Sequence, residues 1–334
     1  MSDGKVRLAS IGLGWWGSEL ADAVSRSGKA EVVSCFARSP EGPSRFAEKH
    51  GCRAAESIDE LLADPEVEGV VIATANQSHR PLIEQAASAG KHIFVDKPFT
   101  NTVEDGIAAI AAAREAGVIL QVGHQRRRTA AKRRIKAMLE AGELGDVETV
   151  VTHQSLPNGF KMPERAWRWD PEQSPLGSMT SLGVHKIDTI HFLVGPVRKV
   201  FAFTRPGHVH PIDEATVLAL ELESGVLATL TTSFFTPVIN ETAVFGTGGA
   251  AYSRGGGSRL SFQGRDDPAP VDVGLDPIDP VVDEMSAFAA AIRGEAPVEV
   301  DGEAGLAVVA VMEAAVRSAA SGEAVEVAAV MARA

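Results

Sequence analysis

The feature that most constrains the fold of this chain is a glycine-rich turn near the start of the sequence. An apolar run at residues 6–11 leads directly into Gly12-Leu13-Gly14-Trp15-Trp16-Gly17. Residues 18–27 then have the apolar spacing of a helix, and residues 31–36 form a second β-branched run. Strand, turn, helix and strand in this order are the context in which a G-x-G-x-x-G pattern becomes informative.

Each glycine of this turn meets a different physical requirement for holding a diphosphate. Gly12 allows the tight turn, Gly14 allows a ligand to approach the backbone, and Gly17 allows the helix to pack closely on the strand. The first turn of the helix also presents free N–H groups and a positive dipole end. Residues 12–17 therefore predict a dinucleotide-binding site, although a glycine-rich turn without a ligand has the same local pattern.

The end of the second strand indicates which dinucleotide is bound. A ribose-binding Asp or Glu is expected about 20 residues beyond the turn, but the chain has Ala37-Arg38-Ser39 there. Arg38 and Ser39 suit a 2′-phosphate, which a carboxylate would repel. We therefore predict NADP, with NAD as the alternative; in that alternative Arg38 is a surface residue that only stacks on the adenine.

Helix and strand patterns alternate up to residue 124. Strands are predicted at residues 67–74, 92–95 and 118–122, and helices at residues 58–63, 81–90 and 102–116. Repeated units of this size predict an α/β fold with a doubly wound parallel sheet, a Rossmann domain over residues 1–124. Because ligands bind at the carboxyl ends of such strands, we expect Gly12, Thr74, Lys97 and His124 along one edge of the sheet.

The second half of the chain is rich in strands, which are predicted at residues 147–153, 197–204, 214–223, 226–235 and 242–246. With helices at residues 131–141 and 185–193, residues 125–334 predict an α+β domain with a large open, mainly antiparallel sheet. Glu223-Ser224-Gly225 is typical of a hairpin turn. Residues 255–280 are expected to form a long loop, and a late helix at residues 302–318 to pack between the domains.

An open sheet has a second face to cover, and the strand at residues 226–235 has Thr and Phe on alternate sides. We expect this strand to form a homodimer or homotetramer interface.

The composition excludes several classes of partner. The net charge of −12 at pH 7 provides no field that attracts nucleic acid or an anionic membrane. No apolar stretch of about 18 residues is apparent, so no spanning helix is predicted. Cys35 and Cys52 are too few to stabilise a chain of 334 residues by disulfides, so we expect a cytoplasmic protein. Neither cysteine has the spacing of a metal ligand, so no catalytic metal is expected.

A basic cluster stands out against this acidic background and comprises Arg126, Arg127, Arg128, Lys132, Arg133 and Arg134. Its spacing predicts the start of a helix with a solvated face, in preference to a polyanion site.

Four segments spread along the chain share a further property. They read GLGWWG at residues 12–17, ATANQSH at 73–79, AGKHIFVDKP at 89–98 and GSMTSLGVHKID at 177–188. Together they resemble the Gfo/Idh/MocA family, which includes glucose–fructose oxidoreductase and inositol dehydrogenase. The family's patterns include A-G-K-H-V-x-x-E-K-P and G-G-x-x-x-D-x-G-x-H-x-x-D. The resemblance implies an NAD(P)-dependent oxidoreductase that forms homo-oligomers.

The chain departs from the family pattern at three positions. Ala75 replaces the usual Pro, and Asp96 replaces the usual Glu. Ser181 stands where many sugar and inositol dehydrogenases of the family carry Asp. The substrate and mechanism of those enzymes therefore do not transfer simply to this chain.

The resemblance implies catalytic roles for two residues. His185 is the predicted acid/base, since an imidazole pKa near 6.5 suits proton exchange at neutral pH; the alternative is a buried structural histidine. Lys97 is the predicted partner, whose ammonium binds the substrate hydroxyl and the nicotinamide ribose; the alternative is a surface lysine. Asp188, three residues after His185, is predicted to bind a substrate hydroxyl or to restrain the imidazole.

The other site predictions follow from the same segments. Ser181 lacks the negative charge that would raise the pKa of His185. The predicted substrate-binding residues are Lys97, His124, Arg127, His153, Ser181 and Asp188. Besides residues 12–17, the predicted cofactor-binding residues are Arg38, Ser39, Thr74, Asn76, His79, Asp96, Lys97 and Gln125.

These residues predict hydride transfer between nicotinamide and a secondary alcohol or ketone of a sugar, polyol or cyclic diol. The alternative is a hydrolase or lyase that retains its nicotinamide, oxidises a sugar transiently and cleaves a glycoside. A third hypothesis, a dinucleotide sensor without catalysis, does not require both Lys97 and His185.

Overall fold

The computed structural model describes residues 4–38, 42–164, 166–207 and 210–333. The chain divides into two compact units, of which the first contains the described residues of 1–125 and 279–306. The second contains the described residues of 126–278 and 307–334. The sequence analysis placed the boundary after residue 124 and assigned all later residues to one domain, whereas residues 279–306 belong to the first unit.

The first unit is built on a parallel sheet of six strands in the order β3-β2-β1-β4-β5-β6. The strands are β1 (Val6–Ile11), β2 (Ala30–Phe36), β3 (Arg53–Ala54), β4 (Gly69–Ile72), β5 (His92–Asp96) and β6 (Leu120–Gly123). The helices up to residue 125 are α1 (Trp15–Ser27), α2 (Gly42–His50), α3 (Ile58–Ala63), α4 (His79–Ser88) and α5 (Val103–Glu115). The predicted doubly wound parallel sheet is thereby confirmed.

The second unit contains a nine-stranded sheet in the order β14-β13-β12-β11-β7-β10-β9-β8-β15 among the described residues. Its strands are β7 (Val147–Ser155), β8 (Val197–Arg205), β9 (Ala215–Leu222), β10 (Leu227–Ser233), β11 (Ile239–Gly246), β12 (Gly249–Arg254), β13 (Arg259–Gly264), β14 (Val271–Val273) and β15 (Val325–Glu326). The later α-helices of the described residues are α6 (Ala130–Glu140), α7 (Val184–Val194), α8 (Pro280–Ile292), α9 (Gly302–Ser321) and α10 (Val327–Met331).

This second sheet is mainly antiparallel, with β10 parallel to β7, so the predicted fold class is confirmed. The predicted hairpin joins β9 to β10, and Gly225 adopts φ +88° in its turn. The predicted loop at residues 255–280 is wrong in part, because residues 259–264 and 271–273 extend the edge of the sheet as β13 and β14. These strands are too short for period-two alternation to stand out in the sequence.

Helix α8, which the sequence analysis missed, belongs to the first unit. The Asp279 carboxylate caps it by accepting from the N–H groups of Val281 and Val282, and Pro280 occupies its first position. Phe288 of α8 packs against Phe94 of β5, with ring centroids 5.8 Å apart. A segment distant in sequence therefore completes the cover of the parallel sheet.

Helix α9 corrects the expectation that no segment is apolar enough to span a membrane. It has 20 residues and meets that criterion by length and composition. However, 56% of its most apolar window is buried inside the protein, as expected for a core helix. Residues 302–306 of this helix fall in the first unit and residues 307–321 in the second.

The nine-stranded sheet has two different faces. Alternate residues of β7, β9 and β10, such as Thr152, Leu218 and Leu230, are buried on the face that carries α6 and α7. The intervening residues lie on the other face, where Val151 and Leu227 are 46% and 54% exposed. This second face is called the open face below.

Candidate active site

The glycine turn after β1 has the shape that the sequence predicted for a diphosphate. Gly12 adopts φ +94°, and a Cβ there would overlap the carbonyl oxygen of Ala73. A Cβ on Gly17 would overlap the carbonyl oxygen of Gly12. A Cβ on Gly14, by contrast, would meet nothing within 4 Å. Close packing therefore requires glycine at two positions, and open space lies over the third, where a ligand would approach.

The amino end of α1 faces the same space. Gly14 is its N-cap, and no described side chain caps the helix there, so its first N–H groups remain available to an anion. Trp15 is 76% exposed, and the rings of Trp15 and Trp16 lie 5.6 Å apart. The turn thus combines backbone donors with an exposed aromatic surface.

A cleft of about 450 Å³ lies at the carboxyl ends of β1, β2 and β4. Its lining includes Gly12, Arg38 and Thr74, together with Phe36, Ala37, Ile58, Ala75 and Leu82 among others. No carboxylate belongs to this described lining, and Arg38 is its only full positive charge. Ser39, the other predicted 2′-phosphate ligand, lies outside the described residues.

His79 connects the two loops that follow β4 and β5. Its Nδ1 lies 3.0 Å from the carbonyl oxygen of Pro98 and 3.2 Å from that of Phe99, and its Nε2 lies 3.2 Å from that of Thr74. Burial lowers the pKa of this fully enclosed imidazole, against the opposing charge of Asp96. The structure therefore places His79 behind the loops, where it holds Thr74 and the Lys97–Pro98 turn in position.

Two buried polar atoms at this edge are candidates for hydrogen bonds to a ligand. Within the described parts of the chain, Asn76 Nδ2 and Asp96 Oδ1 have no hydrogen-bond partner. Burying such atoms unpaired costs about 1–3 kcal/mol each, so a bound polar group there is favoured. Together with the glycine cradle, these atoms fit a dinucleotide at the carboxyl edge of the sheet.

Lys97 and His124 also lie at this edge, as predicted, and Gln125 follows His124 directly. Lys97 directly follows β5, is half-buried, and precedes Pro98 through a cis peptide bond. His124 and Gln125 follow β6 and are buried, with 0% and 6% of their surfaces exposed. The first unit therefore brings together Gly12, Thr74 and Lys97, which are far apart in sequence.

In the second unit, a π-helix at Met179–Gly183 leads directly into α7 and carries Ser181. His185 lies in the first turn of α7 and is 5% exposed. Hydrogen bonds hold the segment in place, from Ser178 Oγ to Thr232 Oγ1 (2.8 Å) and from Thr189 Oγ1 to the His185 carbonyl (2.7 Å). A π-turn is often found at functional sites, and here it lies immediately before the predicted acid/base.

Asp188 has a partner that the sequence analysis did not assign. Arg127 Nε donates to Asp188 Oδ2 at 3.0 Å, and Arg127 Nη2 donates to Asp188 Oδ1. Asp188 is fully buried and Arg127 is 7% exposed, so this is a bidentate ion pair shielded from water. The two predicted substrate-binding residues therefore bind one another and tie α7 to the segment before α6.

The basic cluster does not form the solvated face that its spacing predicted. Arg127, Arg128 and Lys132 are at least nine-tenths buried, because α6 packs against α7 and the sheet. Lys132 Nζ donates to Ser253 Oγ at 2.6 Å. Burial, followed by the charge of Arg126, lowers the pKa of Lys132 to about 7.

Lys186, next to His185, is fully enclosed on the side of α7 that faces the sheet. Its ammonium donates to Asn240 Oδ1 (2.8 Å), the Glu241 carbonyl (2.7 Å) and Thr242 Oγ1 (3.2 Å). Burial keeps its pKa well below the usual lysine range, and the charges of Lys132 and Arg126 act in the same direction. Sequence reasoning missed this residue, for which the chain offers no local signal.

His153 is not brought together with His185. In β7 it pairs with Thr231 and Glu241, and it alternates with Thr152 and Gln154, which face α7. His153 therefore lies on the open face of the sheet, and partial burial lowers its pKa.

Models of known protein families match both halves of the chain. Residues 6–124 match an oxidoreductase family with an NAD-binding Rossmann fold, and residues 133–252 match the GFO/IDH/MocA C-terminal domain. These two matches cover the sheets of both units, apart from the last strands.

Individual relatives agree with these matches. The chain is 29% identical to 1,5-anhydro-D-fructose reductase of Ensifer adhaerens, over 96% of this chain and 98% of the relative. Among solved structures it is similar to an oxidoreductase of Desulfitobacterium hafniense DCB-2, provisionally named NADPH-dependent (TM-score 0.94, 31% identity, 98% and 99% of the two chains). It is also similar to aldose–aldose oxidoreductase of Caulobacter crescentus (TM-score 0.88, 26% identity, 97% and 100%). The chain therefore belongs to the Gfo/Idh/MocA family of NAD(P)-dependent oxidoreductases.

Proposed function

We propose that this protein transfers hydride between nicotinamide and a secondary alcohol or ketone of a sugar or polyol. The observation that carries the proposal is the placement of Lys97 on the same sheet edge as the glycine cradle and the unpartnered Asn76 and Asp96 atoms. A group bound in that cradle has an ammonium at its edge. The names of two relatives, a 1,5-anhydro-D-fructose reductase and an aldose–aldose oxidoreductase, support a carbohydrate substrate.

Gly12, Gly14 and the amino end of α1 would hold the diphosphate, and Asn76 and Asp96 would offer polar atoms to the remainder of the dinucleotide. When bound, the nicotinamide supplies the hydride acceptor or donor. The Lys97 ammonium donates a hydrogen bond to the substrate oxygen and stabilises negative charge as it develops there. His185 accepts the hydroxyl proton at an imidazole nitrogen during oxidation and returns it during reduction.

Two features support NADP as the preferred cofactor. Arg38 lines the cleft at the carboxyl end of β2, and its guanidinium matches a 2′-phosphate in charge and in donor geometry. The described lining also contains no carboxylate to accept a ribose 2′-hydroxyl and repel the phosphate.

The test is a cofactor and substrate panel with the purified protein. Reduced nicotinamide is followed by absorbance after mixing NADP⁺ or NAD⁺ with aldoses and polyols, and its loss after mixing NADPH with ketoses and anhydroketoses. Net redox turnover with a sugar is the expected result. Cleavage of a glycoside without net change in nicotinamide would support the redox-assisted hydrolase or lyase instead. Absence of dinucleotide binding in a fluorescence titration would refute both.

We further propose that a second copy of the chain covers the open face as part of a homodimer or homotetramer. Phe203 and Val217, which pair between β8 and β9, are 64% and 39% exposed there, and Leu227 and Val151 extend the apolar surface across β10 and β7. Light scattering should give a mass of at least two chains, and Phe203→Asp should reduce it. A single-chain mass for the unmodified protein would contradict the proposal.

A further inference from the structure

The two cysteines of the chain, seventeen positions apart in sequence, meet in the first unit. Cys35 is near the end of β2, and Cys52 lies directly before β3. Both pack in one small core with Ala21 and Phe46, and Cys35 pairs across β2 and β3 with Ala54, two residues after Cys52. The spacing of the two cysteines in the sequence did not predict this proximity.

The two thiols differ in their access to solvent. Cys35 is fully buried, and its Sγ lies 3.6 Å from the carbonyl oxygen of Pro43. Cys52 is partly exposed. The neighbouring Cys35 thiol lowers the pKa of Cys52, while Cys52 and burial raise the pKa of Cys35. A partly exposed thiol with a lowered pKa, packed in the same core as a buried thiol, is the arrangement of a redox-sensitive pair.

The pair lies directly behind the elements that form the dinucleotide cradle. Leu13, in the glycine turn, packs against the same small core as the two cysteines. Cys35 immediately precedes Phe36, whose carbonyl oxygen accepts from Gly12 N–H at 3.1 Å. The Cys35 carbonyl itself accepts from Ala55 N–H at 2.9 Å. Only Phe36 therefore separates Cys35 from the hydrogen bond to the turn, and Phe36 also lines the cleft that contains Arg38.

We propose that Cys35 and Cys52 form a peroxide-reactive dithiol, whose oxidation to an intramolecular disulfide weakens dinucleotide binding at the adjacent cradle. The Cys52 thiolate attacks hydrogen peroxide, breaks its O–O bond and becomes a sulfenic acid, and the released hydroxide takes a proton to leave as water. The Cys35 sulfur then attacks the Cys52 sulfur, forms the S–S bond and releases a second water. One peroxide is reduced to two waters while two thiols lose two electrons and two protons.

The first test measures the modification without any cofactor. The folded full-length protein is treated with hydrogen peroxide, remaining thiols are alkylated, and tryptic peptides are analysed by mass spectrometry without reductant. The expected product is a peptide pair linked through Cys35 and Cys52, with both thiols lost and restored by dithiothreitol. Cys35→Ser should instead accumulate sulfenic or sulfinic acid at Cys52, and Cys52→Ser should leave Cys35 largely unreacted. Cys35→Ala provides a second variant if the serine disturbs folding.

Retention of both thiols in the unmodified protein, at a peroxide concentration that oxidises Cys52 in the Cys35 variant, would overturn the proposal. Oxygen addition at Cys52 without cross-linking would overturn it as well.

The second test measures the coupling and rests on the proposed dinucleotide site. NADP affinity is compared by fluorescence titration for the reduced protein, the oxidised protein and oxidised Cys52→Ser. We expect affinity to fall about fivefold or more only in the cross-linked protein, and bound NADP to slow cross-linking in return, since coupling is reciprocal. Equal affinity of the reduced and cross-linked forms would refute the coupling. Lack of binding by the reduced protein would refute the cofactor site and leave the first test unaffected.

Discussion

The two units of this chain differ in whether the polar groups at their candidate sites have partners within the protein. At the carboxyl edge of the parallel sheet, the first unit leaves an uncapped helix end, an open space above Gly14 and unpartnered atoms of Asn76 and Asp96. Around α7, two charged side chains of the second unit have partners within the protein: Arg127 pairs with Asp188, and Lys186 donates to three acceptors. The first arrangement offers polar atoms to a ligand, and the second holds α7, which carries His185, through internal hydrogen bonds. This difference predicts that mutations in the first unit change binding, whereas mutations around α7 change turnover or stability.

The largest effect expected from this comparison is on turnover. His185→Ala removes the proposed acid/base and should lower kcat by about two to four powers of ten, the usual contribution of such a group. NADP affinity should stay close to that of the unmodified protein, because the cradle belongs to the other unit. Steady-state kinetics and a fluorescence titration measure the two quantities. Unchanged turnover would exclude His185 from the mechanism, and lost NADP affinity would show that the two units do not separate binding from chemistry.

The next effect is on folding stability. Arg127→Met leaves the Asp188 carboxylate buried without its bidentate partner, and removing one member of a buried pair costs about 3–5 kcal/mol. Urea unfolding should show this loss. The matched control is Arg127→Met combined with Asp188→Leu, which removes both charges and should recover most of the free energy. A double variant as unstable as the single variant would mean that the pair contributes through something other than charge compensation.

The same contrast explains what the sequence could and could not predict. Residues 12–17 are contiguous and their chemistry is local, so the turn, its helix and its ligand class followed directly from spacing. Arg127 and Asp188 are separated by 61 residues, and no property of either indicates the other. The basic cluster was misinterpreted for this reason, because its solvated face depended on what packs against α6.

Helix α8 shows that a local signal also needs a context. Asp279 followed by Pro280 is a favourable start for a helix, and residues 280–292 are apolar enough to pack on a sheet. Their assignment to the first unit depends on contacts with β5 and α1, more than 180 residues earlier, as the Phe94–Phe288 contact illustrates. The glycine-rich composition before residue 280 suggested a loop and obscured β13 and β14.

A smaller effect is the pH dependence of folding stability that the buried Lys132 in the second unit should cause. The folded protein holds a proton on Lys132 only up to about pH 7, whereas an ordinary lysine pKa is 10.5. Between these values the unfolded chain binds more protons, so the free energy of unfolding attributable to Lys132 rises with pH, by about 1 kcal/mol per unit. Burial and then the charge of Arg126 make the charged form of Lys132 costly. Burial, followed by the charges of Lys132 and Arg126, lowers the pKa of Lys186 in the same region.

Lys132→Met removes this titration and is the reference against which the unmodified protein is compared. The stability of the unmodified protein relative to the variant should improve between about pH 7 and pH 10, measured by urea unfolding at each pH. A difference that stays constant over this range would mean that Lys132 keeps an ordinary pKa through access to water or an anion.

The smallest effect concerns cofactor choice at the edge of the first unit. Arg38 is exposed, so its interaction with a 2′-phosphate is partly screened by solvent and should contribute about 1–2 kcal/mol. Arg38→Ala should therefore weaken NADP binding about tenfold and leave NAD binding nearly unchanged. Arg114→Ala, on α5 and outside the linings of both the Arg38 cleft and the cavity at Gly14, is the matched control for loss of a positive charge. Equal weakening of both cofactors by Arg38→Ala would show that the guanidinium contacts the shared adenosine and does not read the phosphate.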